Sequence, residues 1–406
     1  MVSWKPVYAR RADRMKASEI RELLKVLERP GMISFAGGIP DPALFPVAAA
    51  AQVYADALAS PDVASAALQY AVSEGYGPLR QWIAEHMTTQ GIAASPDNIL
   101  VTAGSQQALD FLGKLLLTPA DTALVTVPTY LGALQAFSAY EPRYDSIGPR
   151  AANRTPASYA DEAAKEAAGA RVKFVYVVPD FANPTGETLS RSARADVLDL
   201  AGELDVPVLE DSAYSALRFD GDEMPSLQSL DVRRRGSLDA SRVIHLGTFS
   251  KTVAPGLRIG WVCASRAIIS RLVLIKQASD LNVSAINQIV MHRLVKDGGH
   301  AGLIARARAH YRLKRDAMLR ALEAQMPSEA RWTRPDGGFF VWLTLPDGVS
   351  GAALLDRAVN QAQVAFVPGA AFFHDGSGTN TIRLSYSLPE EAVIEEGIGR
   401  LASLLR

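Results

Sequence analysis

The sequence predicts an α/β chain, with a mainly parallel sheet between helices in a large domain and a smaller α+β domain attached. Short apolar, β-branched runs alternate with helical segments between residues 98 and 264, the pattern of parallel strands buried on both faces. Polar residues, glycine and proline follow the C-terminal ends of these runs, where open α/β sheets bind their ligands. After Arg266 the texture changes to long helices and then to further extended segments, which reads as a second core. The division expected is an N-terminal arm that joins the small domain (1–47), a large domain (48–292) and a small C-terminal domain (293–406).

Composition narrows the function. A chain of 406 residues exceeds what one compact core serves. Apolar residues at 48% and charged residues at 21% are ordinary for a globular protein. The formal net charge of −1 gives no overall field for nucleic acid or an anionic membrane. The single cysteine, Cys263, lies in an apolar run and reads as a small core residue, so no oxidising compartment is required. The N-terminus lacks the apolar run of a secretory signal, and no segment is apolar and long enough to span a bilayer. A cytoplasmic protein without nucleic-acid or membrane partners is expected.

In chain order, a helix is predicted over 18–27, with Ser18 as its N-cap and Arg21 in the first turn. Residues 33–42 carry too many prolines for a strand centre. Within them, Gly37-Gly38 either makes a turn or lets the backbone approach a ligand. An alanine-rich helix over 48–59 and a helix over 79–89 flank a glycine loop that holds Tyr70 and Tyr76. Strand Asn98–Gly104 feeds a helix opening at Ser105-Gln106, whose free N–H groups and dipole suit an anion. Strands follow at 123–127, ending near Tyr130; at 172–178, ending near Asn183; and at 206–209, ending at Asp211 and Tyr214. Helices are expected at 157–170 and 191–204. Strands before Lys251 and over 259–264 complete the sheet. Helices over 266–298 and 303–325, extended segments at 337–345, 364–373 and 381–386, and a closing helix from 389 make the second core.

Lys251 stands in a polar loop between two core strands, with Thr248 and Ser250 before it and Arg258 after it. A lysine so placed can be desolvated, which lowers its pKa and frees the amine to attack a carbonyl. Hydroxyls and an arginine fork suit a phosphate. Together they meet the needs of pyridoxal 5′-phosphate (PLP). The same rim supplies Asp211 as a carboxylate for the pyridine nitrogen and Asn183 and Tyr214 for the phenolic oxygen. Tyr130 can stack on the ring, and Ser105, Gln106, Ser250 and Arg258 can hold the phosphate. Each has a bland alternative: Asp211 as a helix cap, Asn183 as a turn residue, Tyr130 as packing. Their joint occurrence on successive strand ends favours the cofactor.

Asn183-Pro-Thr-Gly186, Asp211-Ser-Ala-Tyr214 and Ser250-Lys251 followed by Pro255-Gly-Leu-Arg258 resemble the class I/II aminotransferases, PLP enzymes of fold type I. Ser18-Glu-Ile-Arg-Glu-Leu-Leu24, Ser34-Phe-Ala-Gly-Gly38, Gly104-Ser-Gln-Gln-Ala-Leu-Asp110 and Phe366-Val-Pro-Gly369 are similar to the subgroup holding 2-aminoadipate and kynurenine aminotransferases. The resemblance implies that Lys251 anchors the cofactor covalently and serves as base, with Asp211 opposite the pyridine nitrogen. It implies that Arg383 grips the substrate α-carboxylate, with Gly37 and Gly38 beside the substrate. It also implies that Tyr70 reaches the phosphate of a neighbouring subunit in a homodimer with shared sites. Ser18 and Arg21 match residues at the side-chain end of the substrate, and Arg21 reads a distal carboxylate or is a solvated helix charge. Ser212 and Leu217 depart from the subgroup pattern and loosen any claim to one substrate.

The implied reaction moves the amino group of an L-amino acid (2-aminoadipate, aromatic, branched or similar) to a 2-oxo acid such as 2-oxoglutarate, by a ping-pong mechanism. Other PLP chemistry on the same fold, namely elimination, decarboxylation or oxidation, is the alternative. A PLP-binding transcription regulator is a further one. Too few residues precede Ser34 for a winged-helix domain, and no basic recognition helix is present, so an enzyme is expected.

Overall fold

The computed structural model describes residues 4–15, 31–148 and 153–406. The predicted helix over 18–27, with Ser18 and Arg21, lies outside the described residues. In chain order the strands are β1 (Ile33–Ser34), β2 (Ile99–Thr102), β3 (Thr122–Thr126), β4 (Arg143–Ile147), β5 (Val172–Val177), β6 (Val208–Asp211) and β7 (Val243–Thr248). They continue as β8 (Gly260–Cys263), β9 (Arg331–Trp332), β10 (Phe340–Thr344), β11 (Val364–Ala365), β12 (Val367–Pro368) and β13 (Thr381–Ser385).

Seven strands form the main sheet in the order β2-β8-β7-β6-β5-β3-β4. All pair in parallel except β8, which is antiparallel to both of its neighbours. β7 is buried at every residue and β5 at all but one, as continuous apolar runs covered by helices on both faces require. The covering helices carry apolar stripes at three- and four-residue spacing. In Ser105–Leu116, for example, Ala108, Leu109, Phe111 and Leu112 are buried.

A second, antiparallel sheet runs β12-β13-β10-β9. β1 pairs in parallel with β11, which stitches the N-terminal arm beside it. Phe35 and Ile33 then enter a core with Met318, Leu322, Val341, Leu384 and Ile398. The helix Gly299–Gln325 serves both cores: Ala307 and Tyr311 pack in the first, Met318 and Leu322 in the second. We propose the domain division on these two cores, with the arm counted in the second.

The structure corrects several expectations. Ile33-Ser34 is a short strand rather than loop, because its partner at Val364-Ala365 lies far along the chain. The helix expected over 266–298 is two, Arg266–Ser279 and Ala285–Val295. Leu281 takes a left-handed conformation between them (φ 64°), and Ser284 caps the second by accepting from Asn287 N–H. The long helix begins at Gly299 rather than 303. β4 and the helices Pro61–Leu68, Leu227–Arg235 and Gly351–Arg357 add to the predicted elements. β6 lies two residues later than expected, which makes Asp211 its last residue.

Phe35 is fully buried, its N–H donates to Ala365 O (2.7 Å), and its carbonyl accepts from Ser385 N–H (2.8 Å). Phe35→Ala is expected to cost about 3–5 kcal/mol in urea unfolding. A loss under about 1 kcal/mol would mean the arm is not part of that core.

Candidate active site

The parallel strand ends converge on one rim. β2 leads through Gly104 into the helix at Ser105, β3 leads to Tyr130, β5 to Asn183, β6 to Asp211 and Tyr214, and β7 to Lys251. β8 runs the other way, so Arg258, just before it, reaches the same rim.

Lys251 sits in a tight turn. Thr248 Oγ1 accepts from Ser250 N–H (3.1 Å) and donates to Ser250 Oγ (2.9 Å), which fixes the loop. Lys251 Nζ donates to the carbonyl of Gly38 (3.1 Å) and lies over the rings of Tyr214 and Phe339, at 5.6 and 5.7 Å. Burial, seconded by the Arg383 and Arg258 charges, lowers its pKa to about 8 against the pull of Asp211. A side chain at Gly38 would strike the Phe340 ring at 2.5 Å, so glycine lets the backbone reach the amine.

Asp211 is buried. Its Oδ2 accepts from Tyr176 OH (2.9 Å), while Oδ1 has no partner among the described residues. Burial raises its pKa to about 6, although the Tyr176 bond opposes the rise. Arg383, on β13, is also buried. Its guanidinium donates to Asn183 Oδ1 (2.8 Å) and Ala36 O (2.5 Å) and lies over Phe340 and Phe372, at 4.4 and 5.0 Å. Its Nε has no partner among the described residues, and burial pulls its pKa down to about 10. Asn183 Oδ1 is thereby held by Arg383, and its side chain bears on the Tyr214 hydroxyl, easing the rise in pKa that burial imposes there.

Ser105 opens its helix behind Gly104, whose φ is 79°. A Cβ on Gly104 would lie 2.4 Å from Arg258 Nη2, so the bare glycine lets the guanidinium cross this helix start. Arg258 donates to Ala103 O and Pro255 O, at 3.0 and 3.1 Å. Gln106 is engaged with Gly132 O (2.7 Å) and accepts from Tyr130 OH (3.3 Å). Gly37 adjoins Gly38 on the strap that carries the Lys251 contact. Tyr70 stands apart from this cluster and is 80% exposed. Ser212 turns away from Asp211, its Oγ facing His245 Nδ1 (3.5 Å), and Leu217 is a core residue.

Sequence reasoning missed Tyr176, Phe339, Phe340, Phe372 and the Ala36 carbonyl. A tyrosine inside a buried strand signals that its hydroxyl has a partner, but spacing does not name that partner. The donor set fits PLP: a buried amine of lowered pKa, a carboxylate with one free oxygen, and a helix start crossed by an arginine. Among the described residues no cluster of His, Cys, Asp or Glu could hold a metal ion.

These shifts set the pH response of the cofactor-free chain. The Asp211 pKa in the fold, about 6, lies above its ordinary 3.8, so its contribution to stability is full below 3.8 and is lost as pH rises through 6. The Lys251 value, about 8, lies below 10.5, so its contribution is full above 10.5 and is lost as pH falls through 8. Cofactor-free Lys251→Met is therefore expected to melt higher than the cofactor-free parent at about pH 7, with the gap closing as pH rises through 8 toward 10.5. Thermal melts across this range check it, and a gap independent of pH would refute it.

Residues 31–401 match the model of the family Aminotransferase class I and II. The chain is 42% identical over 405 residues to the 2-aminoadipate transaminase of Thermus thermophilus, covering 100% of this chain and 98% of that protein. It is 40% identical to aromatic-amino-acid aminotransferase 1 of Thermococcus litoralis, covering 100% of this chain and 95% of the relative. In three dimensions it is similar to the crystal structure of the Thermus thermophilus α-aminoadipate aminotransferase complexed with N-(5′-phosphopyridoxyl)-L-leucine. That match has a TM-score of 0.88 and 40% identity, covering 100% of this chain and 98% of the other. Lys251 and Asp211 at the strand ends of the main sheet, with Arg383 facing them from β13, and full-length similarity at this level have one reading: the chain belongs to the class I and II aminotransferases, PLP-dependent enzymes of fold type I.

Proposed function

We propose that this transaminase takes its amino group from an L-amino acid with a long side chain (2-aminoadipate, aromatic or branched) and delivers it to a 2-oxo acid, with 2-oxoglutarate the expected acceptor. The observation that carries the reading is the joint burial of the Lys251 amine, the Asp211 carboxylate with one oxygen unpartnered among the described residues, and the Arg383 guanidinium that reaches Asn183 from β13. PLP supplies, when bound, an aldehyde for primary amines and a pyridine ring that withdraws electrons from the substrate Cα. Asp211 would keep the ring nitrogen protonated, and Asn183 and Tyr214 would hold the phenolic oxygen. Tyr130 would lie against the ring, while Ser105, Gln106, Ser250 and Arg258 would hold the phosphate.

Lys251 Nζ, with its pKa lowered to about 8, would be the base that takes the Cα proton of the amino donor and, in the reverse half-reaction, gives a proton to the Cα of the product amino acid. Arg383 binds the α-carboxylate through its planar fork and so orients the Cα–H bond. The aromatic rings beneath it exclude water and hold the guanidinium flat. Gly37 and Gly38 border the substrate. Named relatives of similar identity act on 2-aminoadipate and on aromatic amino acids, which supports a site tolerant of long side chains.

The active form is a homodimer in which Tyr70 of one subunit reaches the phosphate of the other. Leu68, Tyr70 and Val72 are 75%, 80% and 62% exposed in the single chain, a strip that a second copy would cover. A cytoplasmic setting fits the unpaired, buried Cys263 and the lack, among the described residues, of a helix able to cross a membrane.

The test is an absorption spectrum of the loaded protein against a panel of amino acids without acceptor. A donor is expected to convert the visible band to the pyridoxamine form, and 2-oxoglutarate to restore it. Loss of the band without pyridoxamine would point to elimination or decarboxylation. Lys251→Ala is expected to lower turnover by about 10³-fold or more. Arg383→Lys should raise KM for both amino and oxo acids by about 10–100-fold; an unchanged KM would remove its carboxylate role.

A further inference from the structure

Tyr176 has no part in the roles above, yet its hydroxyl is hydrogen-bonded to the Asp211 carboxylate. It lies on β5, where its register partner on β6 is Leu209, two residues before Asp211, so both side chains face the same side of the sheet. Its ring is fully buried and stands edge-on to Phe137, with centroids 5.8 Å apart. Its hydroxyl donates to Asp211 Oδ2 at 2.9 Å, and Oδ1 is buried without a partner among the described residues.

We propose that Tyr176 is a positioning residue for the transamination: it occupies Oδ2, fixes the rotation of the carboxylate and leaves Oδ1 as the one oxygen offered to the cofactor. The inference rests on Asp211 being the partner of the ring nitrogen.

A carboxylate turns easily about its last torsion, and in a dry site two unpaired oxygens would also make the ion costly. One fixed donor removes both problems, because a hydrogen bond to the ionised form favours that form. A phenol suits the task better than an imidazole, which exchanges donor and acceptor roles as it titrates. Burial and the Asp211 charge push the Tyr176 pKa well above 10, so this hydroxyl stays a donor throughout the working range. Tyr130, Tyr214, Lys251 and, across the sheet, His245 also bear on Asp211 electrostatically. Among the described residues, only Tyr176 gives it a side-chain hydrogen bond.

The experiment is a double-mutant cycle read as the Kd for PLP in the parent, Tyr176→Phe, Asp211→Asn and the double variant. Tyr176→Phe is expected to raise Kd by about tenfold or more. The double variant should bind within about twofold of Asp211→Asn. A second readout is the Asp211 carboxyl titration in the cofactor-free chain, followed by carbon-13 NMR, whose midpoint should rise by about one pH unit in Tyr176→Phe. Equal losses in both backgrounds, an unmoved midpoint or an unfolded Tyr176→Phe would overturn the role of Tyr176. If Asp211→Asn itself left Kd unchanged, the reading of Asp211 would fall instead.

Discussion

The site depends on keeping two cations and one carboxylate out of water within a single rim. Isolated charges in such surroundings are unfavourable by several kcal/mol each, and the described residues offer Lys251 and Arg383 only Asp211 and uncharged acceptors. The result is visible in the groups themselves: Lys251 falls to about 8, Arg383 to about 10, and Asp211 rises to about 6. Such displacements are what a base acting near neutral pH requires. On the proposed function, an anionic cofactor and anionic substrates add negative charge where it is missing. Stability given up in the cofactor-free chain is recovered on binding.

Holding that arrangement falls to a strap between the two cores. Residues 36–41 bring Ala36 O to Arg383 and Gly38 O to Lys251, so a single backbone segment touches both cations. The strap is pinned at one end by Phe35 in its strand pairing. At the other, Asp41 Oδ2 meets His310 Nε2 (2.8 Å) and Lys314 Nζ (2.5 Å) on the long helix. Ser387 Oγ donates to Ile39 O between these anchors (2.8 Å). Because the helix also runs through both cores, a movement of one core against the other would displace the carbonyls facing Lys251 and Arg383.

The parts legible in sequence are those with local signals. Strand runs ending in Asn183-Pro, Asp211 or Ser250-Lys251 declare both the sheet and its ligand rim, because burial pattern and turn chemistry are written in neighbouring residues. Contacts between distant segments are not so written. Gly38 and Lys251 are 213 residues apart, and Ala36 and Arg383 are 347 apart. Tyr176 is 35 residues from Asp211 on the adjacent strand, and only the register reveals the pairing. The break after Ser279 is likewise set by contacts from elsewhere: Asp280, paired with Lys276, also accepts from Gln107 on another helix, and Leu281 then turns into the left-handed region.

The rear face of the sheet explains why Asp211 is so firmly placed. Alternation along β6 sends Leu209 and Asp211 to one side and Glu210 to the other. Glu210 accepts from Leu227 N–H (2.6 Å) and Gln228 N–H (3.1 Å), so its carboxylate caps the start of helix Leu227–Arg235, and it also meets His245 Nδ1 (3.2 Å). Gln228 donates in turn to Val243 O and Cys263 O, at 2.9 and 2.7 Å, tying β7 to β8. Adjacent carboxylates thus divide the work: Glu210, fully satisfied, locks the strand from behind, which allows Asp211 to keep one oxygen free in front. An unsatisfied buried oxygen persists only where its surroundings over-determine its position, and here a helix cap, an imidazole and a phenol do so from both faces of the sheet.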